Sequence, residues 1–295
     1  MTSSPSSAPM PDRRPLAEQK LRQALADLQC TGPVRLLETC RSTNDVAREM
    51  VAAGAGADPE WVLVAADAQS AGRGRLDRSW ESPFAAGLLF SLSLDAPADT
   101  DPALVGVLPL AAGVAIVEVC RLRGVAAAAL KWPNDIVLAG TEVAGLPRKL
   151  GGILAERTDR RVIIGVGLNF DLTEAEAPTP QAAALREFGL QPSTSREELL
   201  ASCTAAVVEV WRELRADGPE GALARYRALC VTLGQQVSVA VAGAATVAGE
   251  AVGIDPAGHL LVRTSDRGVV AVSAGDVRSL PTESDDSPIR PAEPH

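Results

Sequence analysis

Hydrophobic positions along this chain change their spacing from segment to segment, and the spacing predicts the elements. From Ala17 to Leu28 the apolar residues Leu21, Leu25 and Leu28 fall on one helical face. Val34-Arg35-Leu36-Leu37 reads as a short strand, and Val46 and Met50 give an inward stripe to a helix starting near Ser42. Trp61 to Ala66 is an unbroken apolar run, as expected of a buried strand. Leu88 to Leu94 predicts another strand, and Pro102 to Arg123 a long helix. Ala128 to Leu130 and Ile136 to Val137-Leu138 flank a break at Pro133, which cannot donate to a ladder. Strands are also expected at Lys149 to Glu156 and Val162 to Phe170, then helices at Arg196 to Leu214 and Pro219 to Thr232.

The pattern changes after Leu233. Val237 to Val241, Thr246 to Val252, His259 to Arg263 and Val269 to Ser273 read as short strands with Gly, Asp and Pro turns, which suggests a small barrel. His259 reads as an ordinary strand residue. Residues 1–15 are rich in Ser and Pro, and residues 281–295 are acidic and Pro-rich, so both predict disordered tails. The expected organisation is a catalytic domain over 16–232 and a small β domain over 233–280.

Composition narrows the function. The 295 residues carry a net charge of −9, which argues against a general nucleic-acid or membrane binder while leaving room for a local cationic site. No signal-peptide pattern opens the chain. Leu104 to Val119 falls short of the ~20 residues that span a bilayer and contains Pro109, so it reads as a core helix. The five cysteines are scattered without a CxxC pair and only two histidines occur, so a zinc site is not expected. Free buried thiols and a cytoplasmic location are the expectation.

Some residue types are scarce. Of 28 basic residues only Lys20, Lys131 and Lys149 are lysine, and the asparagines are Asn44, Asn134 and Asn169. Most of them fall inside short motifs. Asp67 to Trp80 holds two glycines and three arginines after a strand. Such a loop suits an anion, because glycine lets backbone come close and arginine presents a fixed fork of donors, but a solvated basic turn has the same composition. The Walker pattern is absent, and the third glycine of a dinucleotide fingerprint is replaced by Asp77. Ser42-Thr43-Asn44 caps a helix or holds a small neutral polar ligand. Lys131-Trp132-Pro133-Asn134-Asp135 is a hairpin turn or a ligand site; a plain turn leaves its lysine and tryptophan unexplained. Gly151 and Gly152, two residues past Lys149, suggest a ligand against a strand backbone.

Taken in order, Arg41-Ser42-Thr43-Asn44, Gln69-Ser70-Ala71-Gly72-Arg73-Gly74-Arg75 with Trp80, Lys131 to Asp135, Arg148 to Leu154, and Gly165 to Asn169 resemble the motifs of bacterial biotin protein ligases. The resemblance covers residues 34 to 280. It implies an α+β fold like the catalytic domain of class II aminoacyl-tRNA synthetases, a mixed sheet with flanking helices, plus a C-terminal SH3-like barrel. It also implies two steps: biotin and ATP, with Mg²⁺, give biotinyl-5′-AMP, and a lysine of a biotin carboxyl carrier domain of an acyl-CoA carboxylase then takes the biotin. Implied at biotin are Ser42, Thr43, Asn44, Gln69, Arg73, Gly74, Arg75, Lys149, Gly151 and Gly152. Implied at the nucleotide are Arg75, Arg78, Trp80, Lys131, Asn134 and Asn169. Lys149 and Arg75 would be catalytic, and Asp135 would reach magnesium.

Two features depart from the family. Asp77 stands where the loop's last glycine is expected, removing freedom to take φ > 0. Only a tail and one helix precede the core, too little for the winged-helix DNA-binding domain of some relatives, so a repressor role is not expected. The rival readings are a lipoate or octanoate ligase of the same superfamily and a biotin-responsive regulator.

Overall fold

In a computed structural model, residues 13–52, 59–76, 78–241 and 245–280 are described. Most of residues 1–15, all of 281–295 and Asp77 lie outside them. The order of elements is α1 (Glu18–Asp27), β1 (Val34–Cys40), α2 (Thr43–Ala52), β2 (Trp61–Gln69), β3 (Gly87–Asp95), α3 (Pro102–Leu122), β4 (Ala128–Lys131), β5 (Asp135–Val143), β6 (Leu146–Arg157) and β7 (Arg161–Asn169). Then come α4 (Arg196–Asp217), α5 (Glu220–Leu229), β8 (Gln236–Ala240), β9 (Val247–Ile254), β10 (Leu260–Thr264), β11 (Gly268–Val272) and β12 (Asp276–Ser279).

The first seven strands form one mixed sheet, ordered β1-β2-β3-β7-β6-β5-β4. Only β1 and β2 run parallel; the other neighbours are antiparallel. Strand β2 is buried on both faces, which accounts for its unbroken apolar run. On one face α2 covers the sheet through Ala47, Val64 and Ile163, with Val46 and Met50 packed beside them. On the other face α3, α4 and α5 share the main core with Leu63, Phe90, Ile153 and Ile164. Helix α3 spans 21 residues, within one residue of the expected Pro102 to Arg123, and most of it is buried against the sheet, α4 and α5. The N-cap of α3 is Asp101, whose side chain accepts from Ala103 N at 2.8 Å.

The C-terminal strands form a separate antiparallel sheet, ordered β11-β10-β9-β8-β12. The sequence predicts four strands there, and the structure has five. Strand β12 reads poorly because Val277 is its one apolar residue. Among the described residues β11 and β12 remain the two ends of the sheet, so no closed barrel forms. Trp132 joins this sheet to the first: its Nε1 donates to Gly258 O at 3.0 Å and its backbone N donates to Thr232 Oγ1 at 3.0 Å. The same ring is fully buried.

Three boundaries differ from the expectation. Residues 13–15 are bound rather than disordered: Arg13 reaches Glu176, and Arg14 O accepts from Arg196. Helix α5 stops at Leu229, and Val231 N instead donates to Leu130 O at 2.8 Å. Strand β6 begins at Leu146, so Lys149 lies inside it rather than at its start.

Candidate active site

The motifs converge on one cleft of about 930 Å³, its open mouth included. It lies over the middle of β6 and β7, where the end of β2 and the start of β5 meet the cationic loop. Its floor is β7. A Cβ on Gly167 would lie 2.4 Å from the Trp80 ring, and one on Gly165 would lie 2.3 Å from Asn44 Oδ1. Glycine at those two positions is what lets the loop's tryptophan and the helix α2 asparagine settle on the strand.

The α2 side of the cleft is polar. Gln69 Oε1 accepts from Thr43 N at 2.8 Å and from Thr43 Oγ1 at 3.2 Å. Ser91 Oγ donates to Asn44 Oδ1 at 2.6 Å and lies 2.7 Å from Thr43 Oγ1. Asn44 Nδ2 donates to Glu156 Oε2 at 2.7 Å. Ser42, Thr43 and Asn44 are all buried, and this network fixes Thr43 and Asn44.

The cleft is also cationic, with Arg73 on the α2 side, and its cations differ in how they are paired. Arg73 donates to Asp45 at 2.8 and 3.0 Å and to Glu156 at 3.3 Å. The Arg73 hydrogen bonds hold the Asp45 carboxyl below its ordinary range, and Asp45 in turn raises Arg73. Arg78 pairs with Asp276 of β12 at 2.5 Å, which lowers the Asp276 carboxyl. Arg75 has no carboxylate within bonding distance among the described ion pairs; its NH1 donates to Asn134 Oδ1 at 3.4 Å. Burial pulls it down from the ordinary guanidinium range. It is thus the loop arginine with a sheltered and uncommitted charge. Lys131 is also lowered by burial, and its Nζ donates to Val277 O at 2.9 Å.

Lys149 Nζ donates to Asp135 Oδ1 at 2.6 Å and sits 5.7 Å from the Trp80 ring centroid. The Trp80 Nε1 is buried with no partner. A lysine, an aromatic face and an unused donor therefore meet in this cleft.

Of the residues the sequence proposes, Ser42, Thr43, Asn44, Gln69, Arg73, Gly74, Arg75, Arg78, Trp80, Lys131, Asn134, Asp135, Lys149 and Gly152 line the cleft. Two do not. Gly151 faces the opposite side of β6, toward Gly167 O and Leu168, because adjacent strand residues alternate. Asn169 is buried, and its Nδ2 donates to Ala183 O at 3.0 Å and Lys149 O at 3.5 Å, so it faces the backbone rather than the cleft. Sequence reasoning missed Gly275, Asp276 and Val277, which the C-terminal sheet brings to the rim. It also missed Asp45 and Glu156, the two acids that tether Arg73; the acid directly after Asn44 was the available signal. The left-handed residue seen in the loop is Leu76, at φ 54°.

Comparison with known proteins agrees with this geometry. Residues 37–169 match the biotin/lipoate A/B protein ligase family, and residues 232–278 match the biotin protein ligase C-terminal domain. A biotin–[acetyl-CoA-carboxylase] ligase of Mycobacterium tuberculosis is 37% identical over 276 residues, 91% of this chain and 97% of that one. The bifunctional ligase/repressor BirA of Escherichia coli is 29% identical over 255 residues, 84% of this chain and 74% of that one. In structure, a biotin protein ligase from Aquifex aeolicus in complex with biotin and ATP shares the fold, with TM-score 0.69 and 23% identity over 85% of this chain and all of that one. Two matched regions that between them hold both sheets, and a ligase related along nearly its whole length, place the chain among the biotin protein ligases.

Proposed function

We propose that this chain joins biotin to ATP as biotinyl-5′-AMP and passes the biotinyl group to a lysine of a biotin carboxyl carrier domain. The observation that carries this reading is Lys149, held by Asp135 in one cleft with the polar Thr43–Gln69 network and the uncommitted Arg75.

The first step must bring a carboxylate to a triphosphate, two anions that repel. Ser42, Thr43 and Gln69 would take the neutral ureido ring, since their hydroxyl and amide groups offer both donors and acceptors. That leaves the biotin carboxylate toward Lys149. A carboxylate there can replace Asp135 as the partner of Nζ. Arg75, with Arg78 and Lys131, would face the phosphates. The carboxylate oxygen forms a bond to the α-phosphorus, the bond to the bridging oxygen breaks, and pyrophosphate leaves with that oxygen's charge. Donors fixed before the charge develops need no reorganisation, which is how such sites lower a barrier. In the second step the carrier lysine, once it has shed a proton, attacks the acyl carbon and AMP departs.

Mg²⁺ belongs to this proposal only in a limited way. Among the described residues no three acidic, histidine or cysteine side chains form a cage. Such a donor set suits a Mg²⁺ brought in by triphosphate oxygens, with Asp135 as the residue that would hold it, directly or through water. Bound there, the ion would offset phosphate charge. The unpaired cysteines suit a reducing cytoplasm, where we place the reaction.

The test is incubation with ATP, Mg²⁺, labelled biotin and a purified carrier domain, following AMP release and labelled carrier. Label on the carrier, dependent on ATP, is the expected result. Running lipoic and octanoic acids beside biotin separates this reading from its nearest rival; turnover of those acids and not of biotin would overturn it.

A further inference from the structure

Strand β7 stops accompanying β6 just before Lys149. The β6–β7 register ends at the pair Gly151 and Leu168, so the backbone of Lys149 is left without β7 on that side. A strap formed by residues 171–184 takes over. Lys149 N donates to Gln181 O at 2.7 Å, and Ala183 N donates to Lys149 O at 2.9 Å. The Asn169 amide donates to Ala183 O and Lys149 O, cross-linking the end of β7 to both. The path of the strap therefore sets where the lysine points.

The strap is held from outside by the segment that precedes α1. Arg13 grips Glu176 with both arms, NH1 to Oε1 at 2.7 Å and NH2 to Oε2 at 2.7 Å, and NH2 also donates to Asp171 O at 2.6 Å. The paired side chains are only 10% and 15% exposed, so solvent screens them less than a surface pair. Glu176 also closes a capping box with Thr173 on the short 3₁₀ turn Glu174–Glu176. The segment is itself fixed. Arg14 O accepts from Arg196 NH1 at 3.1 Å, Leu16 N donates to Asp67 at 3.2 Å, and Ala17 N donates to Glu197 Oε1 at 2.9 Å. Asp67 and Arg196 form a buried pair at 2.8 Å.

We propose that Arg13 is a positioning residue for Lys149: the segment Arg13–Ala17, anchored on β2 and α4, fixes the strap through Glu176 and thereby aims the lysine. The segment touches neither end of the cleft. Its effect passes through the Arg13–Glu176 ion pair to the strap, and from the strap to Lys149 through backbone hydrogen bonds. The proposal rests on the adenylation reading above.

The experiment is ATP–pyrophosphate exchange, at a temperature where every variant is folded, for the full-length wild type, Arg13→Ala, Glu176→Gln and the double variant. A misplaced reacting group at a distance from the chemistry can cost around a hundredfold, so kcat in each single variant should fall by about ten- to a hundredfold. Because both residues act as one link, the double variant should be no slower than the worse single. A merely structural role would lower the melting temperature and leave kcat of the folded fraction unchanged. Wild-type kcat in Arg13→Ala or Glu176→Gln, or losses that multiply in the double variant, would overturn the proposal. Absence of exchange in the wild type would instead strike the adenylation reading itself.

Discussion

Asp135 and Lys149 meet across neighbouring strands, carboxylate to ammonium, at 2.6 Å. The pair is partly open to solvent, so it stabilises the fold only modestly. In the proposed reaction it would hold the ammonium where an incoming carboxylate can take it over. Lys149→Ala should therefore leave the melting temperature nearly unchanged. Adenylation should fall on the order of 10²–10³-fold, the scale on which losing one donor to a developing anion acts. Pyrophosphate exchange and a thermal melt on the same sample check this; an active variant removes Lys149 from the reaction.

Arg75 is expected to act differently, because it belongs to a loop and not to a strand. An acyl-adenylate is a mixed anhydride that must be kept from water and from stray amines. Arg75→Gly removes the sheltered charge that would keep the phosphate side in place. The variant should still form adenylate but lose it early, so that lysines of bystander proteins become labelled. Mass spectrometry of a mixture of carrier domain and albumin reads the outcome. Label confined to the carrier lysine would count against retention by the loop.

Much of this site is legible from residue types alone, because its chemistry is carried by short runs. Arg73 to Arg75, Lys131 to Asp135 and Lys149 stand out in a chain where lysine and asparagine are scarce. What the runs do not reveal is side. Gly151 and Gly152 are neighbours, yet alternation sends one toward β7 and the other toward Lys149 and Trp80. Asn169 ends a glycine-rich strand, and only the strap's position shows that it faces main chain. Contacts distant in sequence are invisible for another reason: Arg78 and Asp276 are 198 residues apart, and nothing local to either points to the other. The same holds for Arg13, whose Ser- and Pro-rich surroundings read as a tail although its partner is 163 residues on. His259 comes directly before β10 and pairs with Asp255 at 2.9 Å, so it belongs to a turn and not to the strand.

Trp132 is unexplained by a simple turn, and the structure gives it a mechanical role. Its ring is buried where the two sheets meet, and its Nε1 is satisfied by Gly258 O at 3.0 Å. Trp132→Ala would leave a cavity and an unpartnered carbonyl. The expected cost is about 3–5 kcal/mol, as for other large-to-small changes at aromatic core positions. Trp132→Phe restores most of the volume but not the donor, and should lie between alanine and wild type. Urea unfolding read by circular dichroism measures both. A wild-type midpoint for Trp132→Ala would mean that the two sheets do not depend on this contact.

Glu176 makes the link from Arg13 to the strap sensitive to acid. The Arg13 hydrogen bonds, helped by Thr173, hold its carboxyl at about 2, against an ordinary value of 4.5. A carboxyl that is depressed in the folded state stabilises fully above its unfolded value, and that contribution disappears as pH falls toward the folded one. The wild type should therefore melt above Glu176→Gln by a constant margin from neutral pH down to about pH 5, and the margin should shrink as the pH approaches about 2. Arg13→Ala should lose the same margin, since without the guanidinium the carboxyl returns toward its ordinary range. Calorimetric melts of the three proteins between pH 3 and pH 7 would show it. A margin that widens on acidification, or that survives in Arg13→Ala, would mean that Glu176 is held by something other than Arg13.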